Sequence, residues 1–293
     1  MDGLTSNPID EVPFSPLLGI NTQAATPSSV AFENVKLSLD RKLPWITNLP
    51  EFQRIKGNNK KIALIAGGPS VEHYADDIKQ FKTTMVCGSS NDWAMNNGII
   101  PTYSVICDPD PISINYYSKL DTETKYMIAS CCDPKIFEHL KSMQVVQWHC
   151  HSDEVKAKLD ENNLGGDYHG ISGGCTVGLR AISMAIMLGY SNIHMFGYDS
   201  CLGREDKHHA YDFSDKSEEL GVIYNIKVGG ETLEKDAILF KCAGYQLAQA
   251  VNFKEFYVNF REYFNPVIYG NGLIAEMFKH MNVEMKKSGV VTQ

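Results

Sequence analysis

The segment Lys207-His208-His209-Ala210-Tyr211-Asp212 places two imidazoles, a phenol and a carboxylate in one polar loop. Imidazole exchanges protons near neutral pH, so His209, with His208 or Tyr211, is a candidate acid or base. The bland alternative is a pair of solvated loop histidines. Asp199, in Gly197-Tyr198-Asp199-Ser200-Cys201, directly follows an apolar run, where a carboxylate can orient a substrate. The turn Gly67-Gly68-Pro69-Ser70 is neither a Walker loop nor GxGxxG. Its glycines let backbone approach a ligand, and Ser70 can cap a helix whose start faces an anion. Ser172-Gly173-Gly174-Cys175-Thr176 is a second such turn, feeding an apolar helical stretch. Ser89, Ser90 and Asn91 offer hydroxyls and an amide suited to a ribose or base, and equally suited to capping. Asp108-Pro109-Asp110-Pro111 offers two carboxylates for Mg²⁺ or sugar hydroxyls, although Asp-Pro pairs favour plain turns. His149-Cys150-His151 puts two imidazoles on one strand face, but further ligands at zinc-site spacing are lacking, which favours a structural role.

The elements that must position these groups are short apolar runs. They are 62–66, 85–87, 103–107, 126–129, 145–148 and 193–196, several separated by stretches of helical length. Buried strands alternating with helices predict a mostly parallel α/β sheet covered on both faces. Ligands then bind beyond the carboxyl ends of the strands, which is where most of the candidate residues fall. Asp153–Leu159 reads as an amphipathic helix and Thr176–Leu188 as a buried one. Ser29 is expected to cap a helix that Pro44 interrupts. Residues 222–228, Gly229-Gly230 and 231–235 read as a β-hairpin. Residues 238–263 read as one long helix or two shorter ones, before a last strand at 267–269, a Gly-Asn-Gly turn and a helix at 273–280.

The 293 residues carry 27 Lys and Arg against 35 Asp and Glu, a net charge of −8. With 43% hydrophobic and 21% charged residues, disorder and collagen-like repeats are excluded. The acidic balance argues against a broad nucleic-acid-binding surface. Any bound phosphate is expected to be small and held mainly by backbone N–H groups of the two glycine turns. The first residues lack a basic and apolar leader, and no apolar run reaches membrane-spanning length. Eight cysteines without zinc-ribbon spacing fit a reduced, cytoplasmic chain. Residues 1–58 are expected to form an N-terminal arm and helix. Residues 59–293 are expected to form the main domain, with a lid around 199–235.

Six segments taken in order resemble the MptE-like family. They are IALIAGGPS (62–70), Ser89–Asn91, CDP (107–109), SGGCTVGLRAISMAIMLGY (172–190), IHMFGYD (193–199) and HAYD (209–212). That family takes its name from 6-hydroxymethylpterin diphosphokinase and includes motility-associated-factor glycosyltransferases. The motif order also resembles bacterial family 42 sialyltransferases. The resemblance covers roughly residues 60–215 and implies a Rossmann-like, nucleotide-binding transferase domain. It implies that Gly67, Gly68, Ser70 and Asn91 hold nucleotide, and that Ser172 and Gly173 meet ribose or phosphate. His209 falls where the sialyltransferases carry a Tyr that helps the leaving phosphate. Asp108 and Asp110 partly match a metal-binding Asp-rich turn of the diphosphokinases.

Three functions follow as expectations. The first is a glycosyltransferase with a CMP- or NDP-linked sugar donor, whose catalytic set is His209, His208, Tyr211 and Asp199. Its nucleotide would be held by Gly67, Gly68, Pro69, Ser70, Ser89, Ser90, Asn91, Ser172, Gly173, Gly174 and Thr176, with no requirement for Mg²⁺. The second is a Mg²⁺-dependent diphosphokinase that uses ATP and a pterin-like hydroxymethyl compound, with Asp108 and Asp110 as ligands. The third is a non-catalytic nucleotide-binding protein. Each is compatible with a homo-oligomer, and none fixes the acceptor.

Overall fold

The computed structural model describes residues 27–52, 59–166, 168–211, 222–228 and 238–287. Its elements are α1 (Ser28–Leu39), β1 (Lys60–Ile65), α2 (Ala75–Ile78), β2 (Thr84–Cys87), α3 (Ser90–Asn96), β3 (Tyr103–Ile106) and β4 (Lys125–Ala129). They continue with α4 (Pro134–His139), β5 (Gln144–Cys150), α5 (Asp153–Glu161), β6 (Gly170–Ile171), α6 (Val177–Met187) and β7 (Tyr190–Phe196). The last are β8 (Ile223–Val228), β9 (Ile238–Ala243), α7 (Gly244–Phe260), β10 (Asn265–Ile268) and α8 (Leu273–Lys287).

Eight strands form one sheet in the order β10-β7-β1-β2-β3-β4-β5-β6, and every pair in it is parallel. The alternating side chains of β1 show why the runs are apolar throughout. Ile62 and Leu64 enter one core, Ala63 and Ile65 the other, and none of the four is exposed. The larger core also takes Leu179 and Ile182 of α6 and Val35 of α1. The smaller core is covered by Val71, Ile78, Trp93 and Ala94. The chain steps outward from β1 to β6, then α6 returns it to β7 on the other side of β1. This reversal is the switch point at which such sheets bind ligands.

Three expectations need correction. Residues 238–243 are a strand, paired antiparallel with β8 from Val228↔Ile238 to Ile223↔Ala243. Phe240 and Cys242 are buried while Leu239 and Lys241 are exposed, a period of two that an apolar run hides. The helix starts only at Gly244, and the hairpin connection is 229–237, so Gly229-Gly230 and 231–235 lie outside the described residues. Ser29 does not cap α1. Pro27 occupies that position, its carbonyl accepting from the amides of Val30 and Ala31 at 3.0 and 3.3 Å. Finally, the stretch before α6 contains a short strand, β6, that pairs with the end of β5.

Helix α1 packs onto the strand ends. The Asn34 side-chain amide donates to the Cys131 carbonyl at 2.9 Å, and the Ser38 hydroxyl to the Ser130 carbonyl at 2.9 Å. Residues beyond it pair with β5, where the Gln147 amide donates to the Pro44 carbonyl at 2.8 Å. Among the described residues no helix is long and apolar enough to cross a membrane.

Candidate active site

A cavity of about 840 Å³ opens over the carboxyl ends of the central strands. Of the residues singled out from sequence, Gly67, Gly68, Ser89, Asp108, Thr176, His208 and His209 line it. Pro69, Ser70, Ser90, Asn91, Asp110, Ser172, Gly173, Gly174, Asp199 and Tyr211 do not.

The loop carrying the histidines is strapped over the end of β1. The Ala210 amide donates to the Gly67 carbonyl at 3.0 Å. A β-carbon at position 67 would lie 2.5 Å from both His209 Cδ2 and the Tyr211 hydroxyl, so only glycine admits this approach. Tyr211 anchors the strap, its hydroxyl meeting Ser89 Oγ at 2.7 Å and Ser90 Oγ at 3.2 Å. Burial pushes the Tyr211 phenol well above its ordinary value, against the two serine hydrogen bonds, which suits an anchor better than a proton donor. His209 Nδ1 lies 2.8 Å from His208 Nδ1, so one ring donates and the other accepts. His208 Nδ1 is also 3.0 Å from the Tyr245 hydroxyl. His209 Nε2 lies 3.2 Å from the point where a β-carbon on Gly67 would stand, against the turn after β1.

Two expected binding elements have internal partners. In the turn after β1 the Gly68 amide donates to the Gly197 carbonyl at 2.9 Å, and the Ser70 amide to Asp199 Oδ2 at 2.9 Å. Ser70 lies inside the short 3₁₀ turn Pro69–His73, with Gly68 in the N-cap position. Asp199 is 5% exposed, and burial raises its carboxyl above the usual range despite the Ser70 bonds. It ties the end of β7 to the β1 turn, and Gly270 and Gly272 close around it, where added β-carbons would lie 3.2 Å and 2.5 Å from its atoms. Asn91 is fully buried. Its side chain donates to the Lys119 carbonyl at 3.0 Å and accepts from Ser104 Oγ at 3.1 Å.

The second turn is different. Thr176 caps α6, accepting from the Leu179 amide at 3.4 Å. Cys175, Val177 and Gly178 join Thr176 in the cavity wall, so the positive end of an eleven-residue helix opens onto it. Gly173 and Gly174 have φ of 152° and 95° and pack against Leu179, Arg180 and Asn252, which bends the chain into that helix start.

Some site residues were not singled out from sequence. Arg180 is the only Lys or Arg among the described residues lining the cavity, and its Nη1 donates to the Ile171 carbonyl at 2.7 Å. The signal available was a single charge within an otherwise apolar helix. Ser200 lines the cavity with φ of 51°, and its buried Oγ has no hydrogen-bond partner. A non-glycine residue in this conformation is strained, a feature that clusters at ligand sites.

In the acidic turn one oxygen of each carboxylate is engaged by a backbone amide. Asp108 Oδ1 accepts from the Asp110 amide at 3.0 Å, and Asp110 Oδ1 from the Ile112 amide at 2.9 Å, capping the 3₁₀ helix Pro111–Tyr117. Among the described residues no group of three His, Cys, Asp or Glu is arranged to hold a metal ion. His149 is a core residue. It stacks on Trp45 at 4.3 Å, its Nδ1 meets Ser130 Oγ at 2.8 Å, and burial lowers its pKa to about 4.

A family model described as 6-hydroxymethylpterin diphosphokinase MptE-like matches residues 38–205. Among solved structures, the MAf glycosyltransferase from Magnetospirillum magneticum AMB-1 aligns with a TM-score of 0.61 at 14% identity. The alignment covers 83% of this chain and 36% of that one, so this chain spans little more than a third of that protein. The two share a fold. A mammalian sialyltransferase aligns at a TM-score of 0.39 and 10% identity, over 84% of this chain and 87% of that one. The sialyltransferase CstII from Campylobacter jejuni, solved with cytidine-5'-monophosphate, aligns at 0.31 and 11%, over 75% and 84%. No curated protein matches the chain.

Proposed function

The chain belongs to the 6-hydroxymethylpterin diphosphokinase MptE-like family, and from that premise we propose that it is a nucleotide-dependent transferase, specifically a glycosyltransferase using a CMP- or NDP-linked sugar. One observation carries this reading. A helix N-terminus with Arg180 and a strapped histidine line the same cavity, at the switch point of a parallel sheet. The first pair suits an anion and the second suits a proton.

The donor phosphate is assigned to the start of α6. There the backbone amides of the first turn and the positive end of the dipole oppose its charge. Arg180 adds a full positive charge on the same wall. The acceptor hydroxyl is assigned to the His209 side. His209 Nε2 takes its proton as the acceptor oxygen bonds to the anomeric carbon and the bond to phosphate breaks. His208, through its Nδ1 contact, orients the His209 ring and holds its tautomer. Tyr211 holds the strap, and Asp199 joins the two turns beneath it. Residues 59–293 are assigned to the transferase domain; the lid expected around 199–235 and the arm expected within 1–58 fall in part on residues outside those described. A fold alone does not fix chemistry, so the test is direct. A thermal-shift screen against nucleotides and nucleotide sugars, with and without Mg²⁺, selects ligands, and turnover is then measured. A ligand at about 100 times its Kd stabilises by about 2.7 kcal/mol. If no nucleotide sugar is bound or turned over, the reading fails.

The second reading, a diphosphokinase, is favoured by the family description and by Asp108 in the cavity wall. It requires ATP and Mg²⁺. The capping bonds of Asp108 and Asp110 weigh against it, and ATP-dependent, chelator-sensitive diphosphoryl transfer would restore it.

A further inference from the structure

Three thiols that the proposed transfer does not use meet on the wall of the same cavity. Cys107 follows β3, Cys131 follows β4 and Cys150 ends β5, and these strands are adjacent and parallel. Strand β4 runs beside β5 with Ala129 opposite Trp148, and the Ser130 amide donates to the Trp148 carbonyl at 2.8 Å. The chain therefore delivers Cys131 next to Cys150. Neighbouring strands are about 4.8 Å apart, inside the Cα separation a disulfide accepts. Cys107 comes from the strand beyond β4, and its thiol also reaches the Cys150 sulfur. Its carbonyl accepts from Cys131 Sγ at 3.4 Å, which draws the three side chains together. All eight cysteines are free thiols.

We propose that Cys150 is a modification site, a nucleophilic thiolate that reacts with hydroperoxides and soft electrophiles, with Cys131 as its resolving thiol. The cavity gives small reagents access to Cys150, and Arg180 lines the same wall with its Nη1 on the carbonyl of Ile171, the residue paired with Cys150. The groups facing Cys150 are the Cys107 and Cys131 thiols, Arg180, His151 and the Tyr168 hydroxyl, which donates to the Cys150 carbonyl at 2.7 Å. Hydrogen bonding from Cys107 and then Cys131, aided by the Arg180 charge, draws the Cys150 thiol well below its ordinary value against burial. The contact with Cys150 pushes Cys107 upward, and contacts with Cys132 and then Cys150 push Cys131 upward. The thiolate is the reactive form, so the cluster directs reaction to Cys150.

The step balances with hydrogen peroxide as oxidant. The Cys150 thiolate attacks one peroxide oxygen, the O–O bond breaks, and hydroxide leaves, giving Cys150 sulfenic acid. Cys131 sulfur then attacks the Cys150 sulfur. The S–O bond breaks, the Cys131 proton leaves with the oxygen as water, and a disulfide forms.

The proposal stands independently of the transferase reading. The full-length protein is alkylated with iodoacetamide at pH 6.5, and each cysteine is followed by peptide mass spectrometry. Cys175 is the internal standard, because it is exposed yet its thiol is pushed up by burial of its sulfur environment. Cys150 is expected to react at least about tenfold faster than Cys175, the effect of a one-unit difference in pKa. Hydrogen peroxide is then expected to give a Cys131–Cys150 disulfide that dithiothreitol reverses. In Cys131→Ala, a sulfenic acid at Cys150 is expected to be trapped by dimedone. A Cys150 no more reactive than Cys175 overturns the nucleophile assignment. Peroxide treatment that leaves 131 and 150 unlinked overturns the resolving role.

Discussion

His209 Cδ2 lies 2.5 Å from the point where a β-carbon on residue 67 would stand. The Tyr211 hydroxyl is equally close, so a β-carbon there displaces the strap, which is held by side chains and one backbone hydrogen bond. At Gly68 the obstacles are the Gly197 carbonyl oxygen and Asp199 Oδ2, each 2.4 Å away, and the backbone cannot retreat. Gly67→Ala is therefore expected to cost only about 1 kcal/mol while moving His209 and lowering turnover at least tenfold. Gly68→Ala is expected to cost about 3 kcal/mol. Urea unfolding and donor turnover on the two variants check the contrast.

Acid stability is set in part by His149. Its pKa in the folded chain, about 4, lies below the unfolded value near 6.5. A depressed histidine contributes stability that is present above the unfolded pKa and lost as pH falls from about 6.5 towards 4. The loss amounts to roughly 3 kcal/mol for a shift of this size. His149→Gln is expected to lose less stability than wild type between pH 7 and pH 4.5, measured by denaturant unfolding at each pH.

Asp199 acts in the opposite direction. Burial raises its folded pKa, so its contribution is fully present below the unfolded carboxyl value and is lost as pH rises through the folded value. Asp199→Asn keeps an oxygen acceptor for the Ser70 amide and removes the buried charge. Its melting temperature relative to wild type is expected to be higher at pH 7 than at pH 4. A constant difference across that range would show that Asp199 is not shifted.

The Asp110 carboxylate holds the Ile112 amide at 2.9 Å and so starts a helical turn. Asp110→Ala is expected to lower stability by about 1 kcal/mol, the usual cost of a lost cap. Donor turnover is expected to be unaffected by a chelator in both proteins. Chelator-sensitive turnover that Asp110→Ala abolishes would favour the diphosphokinase reading.

The sheet was legible because β1, β3, β4 and β5 are buried on both faces along their central residues, and apolar runs broken only by Ser104 and Gln147 mark those residues. Strand β9 was not, because Ile238-Leu239-Phe240 fits a helix or a strand equally well until its neighbour β8 is in place. The helix start at Thr176 could be read from its small residues and the apolar stretch that follows. The distribution of tasks among the site residues could not. Ser89 and Asn91 have the chemistry of ligand-binding groups, yet one holds Tyr211 and the other joins Ser104 and Lys119. Those partners lie 13 to 122 residues away in sequence, and only the fold pairs them. The thiol cluster is hidden for the same reason, since Cys107, Cys131 and Cys150 come from three strands.

The most direct measurement is turnover of a panel of CMP- and NDP-linked sugars by wild type and His209→Asn, with donor affinity determined separately. Wild type is expected to consume at least one donor. His209→Asn is expected to bind that donor within a few-fold of wild type while its kcat falls by about 10²–10⁴. Turnover at the wild-type rate in His209→Asn, or no donor consumed by wild type, would contradict the account.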